Sequence, residues 1–404
     1  MPQLVSGRYE PDFLPVVEAF DDHLRSTPYG GASLSVYHGG KPVIDVWGGL
    51  ADAGAGGAWE EETSAVLFSC SKSVSAIVVL WLAEHGLIDI DAPVAVYWPE
   101  FAAHGKVDVT VRELMAHRAG VPLVDAPLTR TDVLADTAFA DAMAAQKPLW
   151  RPGTAHAYHA VSVGAGLGEI VRRVTGRSLG TVLAEELADP LGLDLWIGVP
   201  ERELSRIATV LPPDPTRVSA EMAAMIRAML AEDDRAWRTL TVNGTLSIPL
   251  AGVSLENAYN DPDVRAAELP AANGVGTARS LAKLHAALVG PVDDRGVGAS
   301  RLLSEETLTA ATKPMSQGAP AFGPPADSYP AWGSGFMVPW EQRPMLTEAS
   351  FGHDGAAGGL CFADPRHQVG FTFLPSVMGS AAPDTRVNTV VHELRRCLGV
   401  QDGD

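Results

Sequence analysis

Both ends of the chain carry the same pair of elements in opposite order. Residues 32–49, ASLSVYHGGKPVIDVWGG, form two strand-like runs around Gly39-Gly40, and a helix is predicted ahead of them over 11–24. Residues 359–377, GLCFADPRHQVGFTFLPSV, form two more runs around an Asp-Pro turn, with a helix predicted after them over 384–398. Such turns between strand-like runs are typical of β-hairpins. One antiparallel β-sheet built from both chain ends and flanked by helices, an α+β fold, is therefore expected.

The middle of the chain has a different character, because it is rich in Ala and Leu and is broken by Pro and Gly. Helices are predicted there over 131–147, 159–174, 177–188 and 218–240. We therefore expect a discontinuous sheet domain, 1–90 plus 270–404, and a mostly helical second domain, 91–269. A cleft between two such units is a common place for a small ligand, so the active site is expected there. The Pro-rich segment 316–330 is expected to be a loop or a lid.

Composition excludes several classes of function. The formal net charge is −19, which argues against nucleic acid as a partner, because phosphate-binding surfaces need clustered Lys and Arg. The N-terminal residues lack the basic start and apolar run of a secretory signal, and no run is apolar enough to span a membrane, so the expected localisation is cytoplasmic. Three widely spaced cysteines and eleven histidines show no zinc-type spacing, so no metal or other cofactor is expected.

A lysine stands at the start of the most apolar helix that the sequence predicts. In FSCSKSVSAIVVL, residues 68–80, Ser69 and Lys72 precede the uncharged run 74–82, which is typical of a helix buried on all sides. Being three residues apart, the two side chains share one face of the first helical turn. Burial favours loss of the Lys72 proton, and the positive end of the helix dipole stabilises an alkoxide on Ser69. The pair therefore indicates a nucleophile and a base.

The Ser-x-x-Lys spacing is a loose pattern, and it recurs at Ser280 and Lys283. The stretch SLAKLHAALVG is amphipathic there, so Ser280 is predicted to be the N-cap of a helix and Lys283 to be solvated. Cys70, beside the candidate nucleophile, is predicted to be a small buried hydrophobe. The first pair therefore needs support from other residues.

Two further segments carry residues that suit acyl transfer. Tyr158 lies just ahead of a predicted helix, and a tyrosine near two cationic groups can have its pKa lowered enough to transfer protons, although a lone tyrosine more often belongs to a core. The segment FGHDGAAGG, 351–359, contains His353 among glycines that let a substrate approach the backbone. An N–H group there can complete an oxyanion hole with that of Ser69, and a simple strand turn stays open for the same residues.

Three motifs together resemble those of the serine beta-lactamase and penicillin-binding protein superfamily. They are Ser69-Cys70-Ser71-Lys72, Tyr158-His159-Ala160 and His353-Asp354-Gly355, in that order. Supporting stretches at 109–122, 151–178 and 270–288 resemble family VIII carboxylesterases more than class C beta-lactamases. The likeness spans nearly the whole chain and implies the fold of that superfamily, an antiparallel sheet flanked by helices plus a helical domain.

The resemblance also implies a role for each motif. Ser69 would be the acylated nucleophile, Lys72 and Tyr158 the proton-handling pair, and the backbone N–H groups of Ser69 and Ala356 the oxyanion hole. Apart from the resemblance, Trp332 follows the Pro-rich segment and, like Tyr329 and Phe336 nearby, could cap an apolar acyl group, although ordinary core packing is the more frequent role of such residues. The expected substrate-binding residues are therefore His353, Asp354, Gly355, Ala160 and Trp332.

Two positions depart from the beta-lactamase pattern. Ala160 stands where the second motif usually ends in Asn, and His353 stands where the third usually opens with Lys. The first change removes an amide contact and the second removes a fixed cation, so recognition of an anionic beta-lactam weakens, whereas an ester needs neither group. The sequence therefore predicts a serine carboxylesterase that acts on a small-molecule acyl ester through an acyl-enzyme.

Other functions stay open at this point. The same acyl-enzyme in an acyltransferase of a biosynthetic pathway would pass its acyl group to an amine or alcohol, and a D-amino-acid peptidase or amidase would prefer amides. A ligand-binding relative would keep the fold without turnover. An α/β-hydrolase is disfavoured, because it requires Gly-x-Ser-x-Gly directly after a strand. The acyl group, the acceptor and the oligomeric state also stay open.

Overall fold

The regular elements of the protein come from a computed structural model. It describes residues 4–135, 137–229, 234–248, 256–294, 297–323, 326–381 and 384–401. The strands are β1 (Val5–Tyr9), β2 (Gly31–His38), β3 (Lys41–Asp52), β4 (Gly57–Ala58), β5 (Ala65–Val66), β6 (Leu195–Trp196), β7 (Val275–Gly276), β8 (Val292–Asp294), β9 (Val297–Ala299), β10 (Ala331–Trp332), β11 (Met337–Val338), β12 (Phe351–Asp354), β13 (Leu360–Asp364) and β14 (Val369–Pro375). The α-helices are α1 (Leu14–Ser26), α2 (Ser71–Glu84), α3 (Val94–Tyr97), α4 (Val111–Met115), α5 (Arg130–Leu134), α6 (Ala138–Ala145), α7 (Ser162–Thr175), α8 (Leu179–Val182), α9 (Asp189–Leu191), α10 (Ala220–Met229), α11 (Arg235–Thr241), α12 (Pro262–Ala266), α13 (Ala278–Val289), α14 (Glu305–Thr312) and α15 (Arg386–Cys397).

The two ends of the chain build one antiparallel sheet. Its strand order is β1-β3-β2-β14-β13-β12-β11-β10, with β4 paired to β3. The N-terminal and C-terminal halves of the sheet meet where β2 pairs with β14, from Ala32 opposite Pro375 to His38 opposite Val369. Both predicted hairpins and the helices at both chain ends are present. The α+β fold class is therefore confirmed.

Helices cover both faces of this sheet. On one face α1 and α15 bury residues such as Phe20 and Val390 in a core with Leu34 and Phe373 of the sheet. On the other face α13 packs against β2, β13 and β14 and shares a larger core with α2. The strand side chains alternate between these two cores, as the period of two in a β-strand requires. The inner strand β12 lies next to the start of α2, and this juxtaposition positions the candidate site.

The described residues of 91–269 hold α3 to α12 and one short strand, β6. The predicted helix over 131–147 is two helices, α5 and α6, and the one over 177–188 begins as α8 and continues as a π-helix. Part of the predicted helix 218–240, residues 230–233, lies outside the described residues. The strand β6 joins β5 and β7 in a small sheet that links this segment to the rest of the chain. The division into two domains stays a prediction.

The prediction for Ser280 and Lys283 was wrong. The cap of α13 is Thr277, whose hydroxyl accepts a hydrogen bond from the Ser280 amide at 3.2 Å. Lys283 is buried, and its Nζ donates to the carbonyl of Leu191 at 2.9 Å. The reason is that α13 packs against the sheet and nearly all of its residues are buried, so it has no solvated face. A pattern of spacing alone does not distinguish a buried helix from an amphipathic one.

Two further properties bear on function. Among the described residues, no helix combines the length and apolar character that crossing a membrane would require. The same part of the chain holds no cluster of three or more His, Cys, Asp or Glu side chains suited to a metal ion.

Candidate active site

Ser69 lies at the entrance to α2. A 3-10 turn over Phe68–Cys70 leads directly into the helix, so Ser69 precedes the first helical residue by two positions and Lys72 lies in the first helical turn. Phe68 has a φ of 48°, in the left-handed region that aromatic residues rarely adopt. Such a conformation persists only where the surroundings enforce it, and here the chain on both sides of Phe68 is almost entirely buried. The turn therefore holds Ser69 in a fixed position at the start of α2.

The Ser69 hydroxyl contacts two other candidate residues. Lys72 Nζ lies 3.1 Å and the Tyr158 hydroxyl 2.8 Å from Ser69 Oγ, both within hydrogen-bond distance. Lys72 Nζ also donates to the carbonyl of Ala271 at 2.8 Å and lies 4.7 Å from the centroid of the Tyr158 ring. The Ala271 carbonyl was not foreseen from the sequence, because it is 199 residues away in the chain. The structure thus brings together the three side chains that the motifs singled out.

Burial changes the protonation of Lys72. The side chain is 4% exposed, and loss of solvation lowers its pKa from 10.5 to about 7, although the charges of Asp354 and Cys70 act in the opposite direction. The direction agrees with the sequence-based expectation. Near neutral pH a considerable fraction of Lys72 is uncharged, and a neutral amine 3.1 Å from Ser69 Oγ can accept its proton.

The pKa of Tyr158 moves opposite to the prediction. Burial raises it well above its usual value, and the hydrogen bond with Ser69 offsets only part of that effect. The prediction assumed cationic neighbours, but Lys72, the amine beside the ring, is itself pushed towards its neutral form by burial. Tyr158 therefore keeps its proton near neutral pH and can donate it, rather than act as a phenolate.

The third motif touches the turn that carries Ser69. Cys70 Sγ donates to the carbonyl of His353 at 3.2 Å, and a side-chain carbon at Gly355 would lie 2.6 Å from the carbonyl oxygen of Leu67. Glycine is therefore required at 355 for the two segments to pack this closely. Among the described residues, the backbone amides of Ser69 and Ala356 donate to no other group. Two such amides on adjoining segments can hydrogen-bond a negatively charged oxygen.

His353 and Asp354 are engaged within the protein. His353 is 1% exposed, and its Nδ1 lies 2.8 Å from the carbonyl oxygen of Asp354, a contact that requires the proton on Nδ1. Burial opposes ionisation of Asp354, but hydrogen bonds and charge from His353 and Arg343 prevail and lower its pKa. Arg343, 3.2 Å from the Asp354 carboxylate, carries no signal in the sequence. Ala160 is 4% exposed within the larger core.

Trp332 packs directly on Tyr158. The two rings are stacked with centroids 5.5 Å apart and an interplanar angle of 17°, and the indole is buried. The backbone of Trp332 pairs with Ser316 at the start of the Pro-rich segment. That segment is also held by the amide of Ala321, which donates to the carbonyl of His156 at 2.7 Å. Trp332 therefore covers one face of the Tyr158 ring. A contact between Trp332 and an acyl group stays a prediction.

The chain contains one Gly-x-Ser-x-Gly sequence, at 176–180. It spans the end of α7 and the first residues of α8, and Ser178 caps α8 by accepting from the amide of Thr181. Its hydroxyl also donates to Glu268 at 2.5 Å. Because the sequence does not follow a strand, it is no nucleophile elbow of the α/β-hydrolase type.

Comparison with known proteins agrees with the fold and the motifs. The Beta-lactamase family model matches residues 16–396, and the chain belongs to this family. It is 33% identical over 373 residues to Esterase/beta-lactamase LipL of Mycobacterium tuberculosis (strain ATCC 25618 / H37Rv), covering 92% of this chain and 82% of that protein. The solved structure of a family VIII carboxylesterase is 34% identical with a TM-score of 0.82, over 97% of this chain and 99% of the other. EstA from Arthrobacter nitroguajacolicus Rue61a is 30% identical with a TM-score of 0.83, over 97% and 98%. The protein is thus a serine hydrolase of the beta-lactamase superfamily with esterases among its relatives.

Proposed function

We propose that the protein is a carboxylesterase that hydrolyses small acyl esters through an acyl-enzyme on Ser69. The observation that carries this proposal is the position of Ser69 Oγ between Lys72 Nζ at 3.1 Å and the Tyr158 hydroxyl at 2.8 Å. Burial shifts the pKa values of these two neighbours in opposite directions: it lowers that of Lys72 to about 7 and raises that of Tyr158. One is suited to accept a proton and the other to donate one.

In the first step, Ser69 Oγ forms a bond to the acyl carbon of the ester. Its proton passes to the neutral amine of Lys72, which becomes an ammonium group. The carbonyl π-electrons move to the oxygen, and the amides of Ser69 and Ala356 donate hydrogen bonds to the resulting oxyanion. Donors of this kind typically contribute about 3–4 kcal/mol to transition-state stabilisation.

In the second step, the bond between the acyl carbon and the leaving oxygen breaks. Tyr158 gives its hydroxyl proton to the leaving alkoxide and takes one from Lys72, so the alcohol departs neutral and both residues regain their starting state. Water then attacks the acyl-enzyme: its oxygen forms a bond to the acyl carbon, and its proton passes to Lys72. As the bond between the acyl carbon and Ser69 Oγ breaks, Tyr158 gives its proton to Ser69 Oγ and takes one from Lys72. The carboxylic acid leaves, and the atoms and charges of the cycle balance.

The neighbours of the triad favour an ester over a beta-lactam. His353 is buried with its Nδ1 donating to the Asp354 carbonyl, so its side chain is engaged within the protein at the position where beta-lactamases offer a lysine to a substrate carboxylate. Ala160 offers a methyl group where an amide would contact an acylamino group. The named esterases among the relatives support the same substrate class.

Matched substrates test the proposal. We would measure kcat/KM for a short-chain p-nitrophenyl ester, the matched anilide and a chromogenic cephalosporin. Ser69→Ala should lower ester hydrolysis by at least about 10³-fold. Ser280→Ala, at the second Ser-x-x-Lys, should keep it and is the matched control. Full activity in folded Ser69→Ala, or an anilide or cephalosporin cleaved faster than the ester, would contradict the proposal. Dominant transfer to an added alcohol would indicate an acyltransferase instead.

A further inference from the structure

His117 is buried beside Tyr158, and no step of the proposed reaction uses it. It follows α4 and is 2% exposed. Its carbonyl accepts a hydrogen bond from the amide of Ala157 at 3.3 Å, and its Nδ1 accepts one from the amide of His159 at 3.3 Å. These two amides lie directly before and after Tyr158 in the chain. One residue therefore fixes the backbone on both sides of the tyrosine.

The His117 ring also limits how the Tyr158 ring can move. Its centroid lies 5.0 Å from that of Tyr158 at an interplanar angle of 68°, an edge contact. It makes a similar contact with Trp332, at 5.2 Å and 84°, and Trp332 stacks on Tyr158. His117 and Lys72 line the same small internal cavity. The tyrosine is thus held between an indole face and an imidazole edge.

The hydrogen bond from His159 defines the form of the imidazole. An Nδ1 that accepts a proton donor carries no proton itself, so His117 is the neutral tautomer with its hydrogen on Nε2. Burial and the nearby charges of His159 and Lys72 hold the pKa of His117 well below its ordinary value. The neutral ring can accept the hydrogen bond from the His159 amide, and it places no charge next to Lys72.

The backbone of His117 is unusual as well. Its φ is 63°, in the left-handed region, where Gly and Asn are tolerated best among the amino acids. This conformation lets the carbonyl and the ring of one residue reach two amides that are two residues apart. It also decides which substitutions are informative, because Ala would add backbone strain that Gly and Asn avoid.

We propose that His117 is a positioning residue for acyl transfer, which holds the Tyr158 hydroxyl against Ser69 Oγ by fixing the backbone on either side of Tyr158 and packing against its ring. The inference rests on the proposed function, in which Tyr158 relays the proton. Its effect is expected in kcat rather than in KM, because His117 acts on a proton-transferring group.

A double-mutant cycle tests this role. His117→Gly removes the side chain without backbone strain, and His117→Asn keeps a short acceptor near the place of Nδ1. We expect His117→Gly to lower kcat by about 10- to 100-fold with KM changed less than about twofold, since misplacement by about 1 Å can have such an effect. Asn should restore most of the loss. In a Tyr158→Phe background, His117→Gly should reduce kcat by less than about threefold, because residues that act as a unit are not additive.

The outcomes separate the two proposals. Equal fold-losses from His117→Gly in both backgrounds, or a His117→Asn variant as impaired as His117→Gly, would overturn the positioning role alone. Wild-type kcat in Tyr158→Phe would overturn both proposals. Thermal unfolding shows whether each variant is folded, and a merely structural role would lower the melting temperature without the non-additive kcat. If His117→Gly does not fold, His117→Ser replaces it in the same cycle. The backbone strain that Ser adds is the same in both Tyr158 backgrounds and cancels in the cycle, so the same non-additivity is required.

Discussion

Replacing Lys72 by methionine should make the protein more stable at neutral pH while abolishing its activity. Lys72 is 4% exposed, and its charged form is disfavoured by burial, which lowers its pKa from 10.5 to about 7. Methionine has a similar length, carries no charge and adapts to irregular cores. Burial makes Lys72 reactive because it disfavours the charged amine, and for the same reason it makes the folded protein less stable. Removing the amine is therefore expected to raise stability and to abolish activity.

The size of the effect follows from the pKa. Below about pH 7 Lys72 is protonated in both the folded and the unfolded chain. The fall in its pKa then corresponds to a destabilisation of the folded state by about 5 kcal/mol. Between about pH 7 and pH 10.5 only the unfolded chain keeps the Lys72 proton, so the stability of the wild type rises with pH. The destabilisation by Lys72 is therefore lost by about pH 10.5. Lys72→Met also leaves the Ala271 carbonyl without its donor, at about 1–3 kcal/mol. At pH 7, where about half of the folded chains have already lost the Lys72 proton, the destabilisation is about 4 kcal/mol, so the net gain from the substitution is about 1–3 kcal/mol.

Denaturant unfolding at several pH values measures the effect. The free energy of unfolding of Lys72→Met should exceed that of the wild type at pH 7, and the difference should shrink by about 2 kcal/mol by pH 9. Lys147→Met, at an exposed lysine, is the matched control and should show no such trend. A difference between Lys72→Met and wild type that does not vary with pH would refute the reasoning, because it would mean that burial does not depress the pKa of Lys72.

Three further predictions concern Lys72, Tyr158 and the cysteines. The value of kcat/KM should rise with pH through about pH 7, because protonated Lys72 cannot accept a proton, and a pH profile that is flat from pH 5 to 9 would contradict this. Tyr158→Phe should lower kcat by about 10²- to 10³-fold in steady-state assays while the fold is kept, and wild-type kcat would contradict the relay. Iodoacetamide should modify Cys397 in the native protein and leave activity unchanged, because Cys70 and Cys361 are fully buried; mass spectrometry would reveal labelling of either as a contradiction.

The architecture was largely accessible from local sequence patterns. Hairpins and helices are encoded by nearby residues, so the elements at both ends, and the buried helix after Ser69, were placed correctly. Boundaries inside the middle segment were less accurate, as the division of 131–147 into α5 and α6 shows. Short helices stabilised by tertiary packing leave weak periodic signals.

The proximity of the motif residues could be predicted from the sequence, whereas their surroundings could not. Ser69, Lys72 and Tyr158 meet as the motifs suggested. Contacts such as His117 with the second motif join residues 42 positions apart, and no local pattern marks them. The pKa of Tyr158 was predicted in the wrong direction because burial, a property of the whole fold, raises it by more than the hydrogen bond with Ser69 lowers it.

The central claim is that Ser69 forms a covalent acyl-enzyme. The most direct measurement is intact-protein mass spectrometry after brief exposure to a short-chain p-nitrophenyl ester and, separately, to a fluorophosphonate, on wild type and Ser69→Ala. If Ser69 is the acylated nucleophile, one acyl or phosphonyl adduct is expected on the wild type, located to Ser69 by fragmentation, and none on the variant. An adduct that persists in folded Ser69→Ala, or ester turnover by the wild type with no adduct from either reagent, would contradict it.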